Sequence, residues 1–419
     1  MNLSSLFQPL ALSLAIGAAL SGCSSMTTGA DSAASAAFTV AVIGDMPYGT
    51  SATDTKQFEL TPKFIAAINA DPDVSLVLHA GDIHSGKQAC TQAYDEAIFK
   101  QWSTFKAPLV YTPGDNEWAD CHKAKESGGK YNKATGQIDY VLDDKGNPVN
   151  YAKGSPTANL DLLRAIFFAK PGQTLGGAMA VTSQATAFDA KHPGDEAFVE
   201  NVMWEKSGVL FVAVDIPGGS NNGTDPWYGA LAMSAAQQQD VAQRSGATLR
   251  WIDAAFKHAM TRGNLAVVIL TQADMWDIDG AETGAAHLSG YRQYIDKIAV
   301  NTQAYGMPVL TIVGDSHIYR SDNPLLKGAP CVIEPAAGKP AVACTDSQAK
   351  TALQTVANPT DPYLSQPHDY KLRNFHRIVV HGETQPMEWL KLRIDPAAHT
   401  APSADAFGPF SWKRVQPAL

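Results

Sequence analysis

The chain has 419 residues, 45% hydrophobic and 17% charged, enough to bury a large core, and length alone allows two or three domains. Its formal net charge of -9 argues against holding nucleic acid through a basic surface, because neutralising phosphates takes clustered Lys and Arg. A small anionic substrate would therefore need local positive charge, from a metal or from a few basic residues.

At the N-terminus, residues 6–20 are an apolar run with no Asp, Glu, Lys or Arg before Asp31. The run is short for a bilayer span and reads as the core of a signal peptide over residues 1–22. It ends in Leu20-Ser21-Gly22-Cys23, which resembles the bacterial lipobox, where the cysteine is lipidated and becomes the mature N-terminus. An ordinary signal peptide cut near Cys23 is the alternative. Residues 23–37, rich in Ser, Ala and Thr, then read as a flexible tether. The expectation is an exported protein, held at a bacterial envelope membrane through its lipid alone, with the globular part in the periplasm.

From Phe38 onward, apolar runs of strand length alternate with segments of helical period. The strand candidates are FTVAVIGD, VSLVLHAGD, APLVYTPGD, GVLFVAVD, LAVVILTQAD and PVLTIVGD, and each is a near-continuous run, as expected for strands covered on both faces. Leu60, Phe64 and Ile68 form one apolar stripe between the first two. A longer helix opens at Ser234 as N-cap, carries Leu249, Ile252 and Phe256 on one face, and stops at Gly263. Tyr291, Tyr294, Ile295 and Ile298 form another such face, ended by Gly306. Repeated strand-helix-strand units predict an α/β domain over residues 38–397 with a mainly parallel sheet. Two insertions break the rhythm, at 122–201 with one helix near LDLLRAIFFAK and at 322–374, and are expected to be lids or substrate walls. FHRIVVHGE and MEWLKLRID read as a C-terminal β-hairpin, and residues 398–419 as a tail. His79, inside an apolar strand, reads as a hydrogen-bonded core histidine.

Export would let disulfides persist, and four cysteines follow Cys23: Cys90, Cys121, Cys331 and Cys344. Of the three possible pairings we favour Cys90 with Cys121, which lie just beyond two strand ends, and Cys331 with Cys344, which close a short Pro/Gly-rich loop.

The dipeptide Gly-Asp closes four of the strand candidates, at Asp45, Asp82, Asp115 and Asp315. The carboxyl ends of parallel strands share one sheet edge, where such folds place ligands. One Asp after a strand is usually a turn former or a helix cap. Four together, with His317 beside the last, repel one another unless a cation neutralises them, so a metal site is the economical explanation.

In GDMPYG, AGDIHSG, PGDNEW, LTQAD and GDSH the chain resembles the calcineurin-like metallophosphoesterases, whose motifs fall at strand ends in the order Asp-x-His, Gly-Asp, Gly-Asn-His-Glu/Asp, a lone His and Gly-His-x-His. The resemblance implies a layered sandwich of strands flanked by helices, divalent metal, and hydrolysis of a phosphomonoester or phosphodiester by metal-activated water. Asp45 matches the first metal-binding Asp, Asp82 the Asp that bridges two metals, and His317 the last His. Asp115 stands at the ligand Asn, Gln272 at the lone His and Asp315 at the first His of the final motif. Pro47 replaces the first His, with Tyr48 beside it as a ligand or substrate contact.

Carboxylates and amides in place of imidazoles make the site oxygen-rich, favouring Mn2+ or Mg2+, or Ca2+, over zinc or iron, with one ion or two. Asn116 stands where the family has the His that protonates the leaving group, so His84, Glu117, His122 or water would have to serve, and His84 and Asp274 are further ligand candidates. Asn221 and Asn222, in the loop after the fourth strand, are candidates for binding the small phosphorylated substrate. The altered ligands also admit a catalytically inactive lipoprotein that binds an anionic ligand or a protein partner.

Overall fold

A computed structural model describes residues 36–276, 289–349 and 370–419. The signal-peptide segment and the lipidation candidate Cys23 lie outside the described residues.

Two sheets form the centre. In the first, β1 (Phe38–Ile43), β2 (Val74–His79) and β3 (Pro108–Tyr111) run parallel. In the second, β4 (Val202–Lys206) is antiparallel to β5 (Val209–Ala213), which runs parallel to β6 (Ala266–Leu270) and β7 (Val309–Val313). Next to β7 lies β9 (Phe375–Val379), also parallel, and antiparallel to it β8 (Arg320–Asp322).

The near-continuous apolar strands follow from the layering. Val40, Val42, Leu76 and Leu78 of the first sheet share a core with Phe211, Val268, Leu270, Leu310 and Ile312 of the second. The alternate residues face outward. Ala41, Ile43 and Val77 pack under α1 (Lys56–Ala70), α2 (Gln92–Trp102) and α3 (Pro156–Phe167) through Phe64, Ile68, Ile98, Trp102 and Leu163. Leu210, Val212, Val267 and Ile269 pack under α4 (Ala235–Arg262) and α5 (Arg292–Tyr305) through Trp251, Ile252, Phe256, Tyr294 and Ile298. β1, β2, β5, β6 and β7 are thus covered on both faces by apolar packing, so period-two alternation is absent from their sequences.

Helix boundaries fall where the capping residues are. The Ser234 hydroxyl accepts from Gln237 N to open α4, and Gly263 and Gly306 end α4 and α5 in the left-handed region. His79 is a core histidine, with Nε2 3.0 Å from the Met46 carbonyl.

The C-terminal strands depart from expectation. FHRIVVHGE and MEWLKLRID do not form a hairpin with each other. The first supplies β9 in the second sheet, while the second supplies β10 (Trp389–Ile394), antiparallel to β1 in the first. Residues 398–419 are not a tail either, because β11 (Phe410–Val415) pairs antiparallel with β10. Both sheets needed strands, and the Gly/Pro break between the two segments crosses from one sheet to the other. Within the insertion 122–201, Leu175–Gly176 and Thr182–Ser183 add short strands beside β3 and β4, and α3 covers the first sheet. The insertion therefore finishes sheet edges and covers core. Both expected disulfides are present, with Cα–Cα separations of 5.8 Å for Cys90–Cys121 and 5.4 Å for Cys331–Cys344.

Candidate metal centre

Asp45, Asp82 and Asp115 follow β1, β2 and β3, while Gln272 follows β6 and Asp315 and His317 follow β7. The carboxyl ends of both sheets meet at one rim, so side chains far apart in sequence converge there. Asp45, Asp82, Asp315 and His317 have φ of 51°, 61°, 71° and 61°, in the left-handed region that Asp, Asn and His tolerate better than most residues. Four such residues at one site mark stored backbone strain, of order 1–3 kcal/mol each, which the surrounding structure must hold.

Three of the four strand-end Gly-Asp glycines have a shared physical reason, while Gly44 packs against Val380 and Ala80. A Cβ on Gly114 would collide with the Asp82 carboxylate, one on Gly314 with that of Asp45, and one on Gly81 would lie 2.7 Å from the Gln272 side chain. Each glycine clears space for the functional side chain of another motif, and Gly382 does the same for Asp45. The repeated dipeptide is a packing device as well as a source of acids.

Asp45, Asp82 and His317 can each present one ligand atom, with all three atoms within 4.8 Å of one another. Asp45 Oδ1 accepts from the Asp315 backbone N–H at 2.9 Å, whereas Asp45 Oδ2 is buried with no hydrogen-bond partner. Burial lifts the Asp45 carboxyl to about 7, despite the opposing His317 charge. Asp82 is raised by burial and by the negative charges of Asp115, Glu117 and Asp45. His317 is raised although burial opposes it, because Glu383 and Asp45 favour its charged form. Two buried carboxylates, one with an oxygen left without a partner, and an imidazole fit a divalent cation.

The other half of the cluster is arranged differently. The Gln272 side-chain Nε2 donates to Asp115 Oδ1 at 3.0 Å and to Asp315 Oδ1 at 3.2 Å, while its Oε1 accepts from the Gly218 backbone N–H. Gly218 presses against both acids, since a Cβ there would lie 2.5 Å from Asp315 Oδ1 and 2.7 Å from Asp115 Oδ2. Tyr48 lines the same cleft. Its hydroxyl donates to Asp82, accepts from Asn116 Nδ2 at 2.7 Å and lies 3.3 Å from His317 Nε2. Asn116 Nδ2 also donates to Asp82 Oδ2 at 2.9 Å.

Several residues expected at the site serve other purposes. His84 is fully buried against Tyr94, with Nδ1 3.1 Å from the Ser85 carbonyl, and burial lowers it to about 4. It is shielded from the cleft and is not placed as an acid. Glu117 is also buried, and its Oε1 accepts from the N–H groups of Asp82 and Gly114 and from the Tyr111 hydroxyl, so it braces the loops that carry Asp82 and Asp115. His122 Nδ1 accepts from the Tyr228 N–H. Asn221 and Asn222 are not in the cleft: Asn221 bonds Arg244, Ser245 and Tyr294, and Asn222 Oδ1 accepts from Trp227 Nε1. They tie their loop to α4 and α5. Asp274 pairs with buried Arg377 and accepts from the Ser316 hydroxyl at 2.5 Å, which removes it as a ligand.

The cleft, about 290 Å3, is lined by Tyr48, Asp82, Asp115, Asn116, Asp315 and His317, with Lys87, Lys125 and Glu383 also on its wall. Sequence reasoning missed these last three. Glu383 Oε2 lies 3.3 Å from His317 Nδ1 and Glu383 Oε1 3.9 Å from Lys87, and its only sequence signal was its place just beyond β9, a strand assigned to a hairpin.

A family model described as calcineurin-like phosphoesterase matches residues 38–236. No curated protein matches the chain.

Proposed function

The chain carries a calcineurin-like phosphoesterase domain of the metallophosphoesterase superfamily, and from that premise we propose that it hydrolyses a phosphomonoester or phosphodiester with a divalent cation held by Asp45, Asp82 and His317. The observation carrying this reading is the convergence of ligand atoms from Asp45, Asp82 and His317 within 4.8 Å of one another, with one buried Asp45 oxygen left without a hydrogen-bond partner. The oxygen-rich surroundings favour manganese or magnesium, and calcium next. When bound, such a cation supplies Lewis acidity toward a phosphoryl oxygen and acidifies water.

The chain's own residues do the rest. Glu383 fixes the His317 ring through Nδ1, so Nε2 faces the cleft. Tyr48 and Asn116 hold the Asp82 carboxylate in place. Lys87 and Lys125 bring the positive charge that an anionic substrate needs into a wall that is otherwise acidic. Asn116 cannot protonate a departing alkoxide, and His84, Glu117 and His122 are committed elsewhere. Substrates with acidic leaving groups should therefore turn over fastest.

Export and lipid anchoring at Cys23 belong to the same proposal, supported by the apolar N-terminal run and by two disulfides, which persist in oxidising compartments. A second reading, binding of a phosphorylated or otherwise anionic ligand or of a protein partner without turnover, is favoured by Asn116, since its amide N–H groups are already donated to Tyr48 and Asp82. The deciding experiment measures metal content of the purified chain together with hydrolysis of generic mono- and diester substrates in added manganese or magnesium. Bound metal, with hydrolysis lost in Asp82→Ala, supports the enzyme. Tight binding of a phosphorylated ligand without turnover supports the second reading.

A further inference from the structure

The acidic cluster divides into two halves that solve the same electrostatic problem in different ways. Around Asp45 a buried carboxylate oxygen is left without a partner. Between Asp115 and Asp315 a neutral group already stands, the side-chain amide of Gln272, with its nitrogen 3.0 and 3.2 Å from one oxygen of each acid.

The orientation of that amide is fixed by an obligate donor. The Gly218 backbone N–H can only donate, and its partner is Gln272 Oε1. Turning the amide over would set Nε2 against that N–H and Oε1 against two carboxylates, so every contact would become repulsive. Gln272 is fully buried, with Gly81 against its Cβ and Cγ and Gly218 above its tip. Its backbone carbonyl accepts from the Gly314 N–H at 2.9 Å, which ties it to the loop carrying Asp315. The amide is thus held between the two acids from both ends.

We propose that Gln272 sets the cation stoichiometry of this cleft at one, its amide acting as a neutral double donor in the place between Asp115 and Asp315 that a second cation would otherwise take. The inference rests on the reading of Asp45, Asp82 and His317 as a cation site. Asp115 and Asp315 then serve as fixed acceptors that position Gln272 and the Gly218 loop. They are not ligands.

The isosteric change Gln272→Glu tests this, because it replaces two N–H donors with a third carboxylate in the same space. Bound Mn2+ is counted by equilibrium dialysis of the full chain, and the electron paramagnetic resonance spectrum reports whether bound ions are magnetically coupled. The wild-type chain should bind one Mn2+ with an uncoupled spectrum. Gln272→Glu should bind two and show coupling, and adding Asp115→Asn to it should return the count to one. In the otherwise wild-type chain, Asp115→Asn should leave the count at one, which keeps the idea testable should Gln272→Glu not fold. Two ions in the wild-type chain, one ion in a folded Gln272→Glu chain, or a loss of binding in Asp115→Asn overturns the inference while leaving the cation reading standing. Absence of bound Mn2+ from the wild-type chain overturns both.

Discussion

Asp82 has more depending on it than any other side chain at the rim. Its carboxylate meets Tyr48 and Asn116, its backbone N–H is held by Glu117, and its ligand atom lies with those of Asp45 and His317. Asp82→Ala should lower phosphoesterase turnover by at least about 100-fold and abolish tight cation binding, read by steady-state kinetics and metal analysis of the same preparation. A folded Asp82→Ala chain with normal turnover would remove Asp82 from the mechanism. Asp215, just past β5, is a different kind of acid. It is fully buried, both its oxygens lack partners, and burial raises it to about 8, with the Arg244 charge only partly offsetting that. Because the folded value lies above the unfolded one, Asp215 stabilises the fold fully below about pH 4, and the contribution is lost as pH rises toward and through about 8. Asp215→Asn should flatten that loss, a difference on the order of a few kcal/mol across the window, seen in melting curves taken from pH 4 to 9. The acids at the rim were legible because each closes an apolar run at a Gly-Asp pair. The roles of His84, Glu117, Asn221 and Asn222 were not, because a position beside a motif does not say which way the side chain turns.

Helices and strands were legible where periodicity and capping residues agreed, as with Ser234 and Gly263 around α4. Partner choice was not, because β9 and β10 look like one hairpin until the two sheets compete for them. The Cys90–Cys121 disulfide works at this scale, joining the chain just beyond Asp82 to the chain just beyond Asn116. It closes a loop of sequence separation 31, which on the chain-entropy account contributes about 4 kcal/mol, against about 3 kcal/mol for the separation of 13 at Cys331–Cys344. Replacing both Cys90 and Cys121 with Ser should lower the melting temperature more than the same change at Cys331 and Cys344. It should also weaken cation affinity, which the distant Cys331–Cys344 change should leave intact. Equal losses of affinity in the two variants would show that the first bridge has no special bearing on the cleft.

Over the whole molecule, the proposed cation site draws on both sheets, Asp45 and Asp82 from the first and His317 from the second. Occupying it should therefore stabilise the global fold, by about 2.7 kcal/mol when free cation is 100 times its dissociation constant. The melting temperature should rise with added manganese and fall with chelator, and a Gln substitution of His317 should remove the response. No change in melting on titration would indicate that no cation links the sheets.

The pairing of β1 with β10 carries a consequence for biosynthesis. The first strand to leave the ribosome finds its antiparallel neighbour only when residue 389 has been made, so the first sheet cannot finish during most of translation. A chain stopped before that point keeps β1, apolar but for Thr39, as a bare border, an invitation to aggregate. If the chain is exported as proposed, the same delay would keep the passenger unfolded and ready to thread.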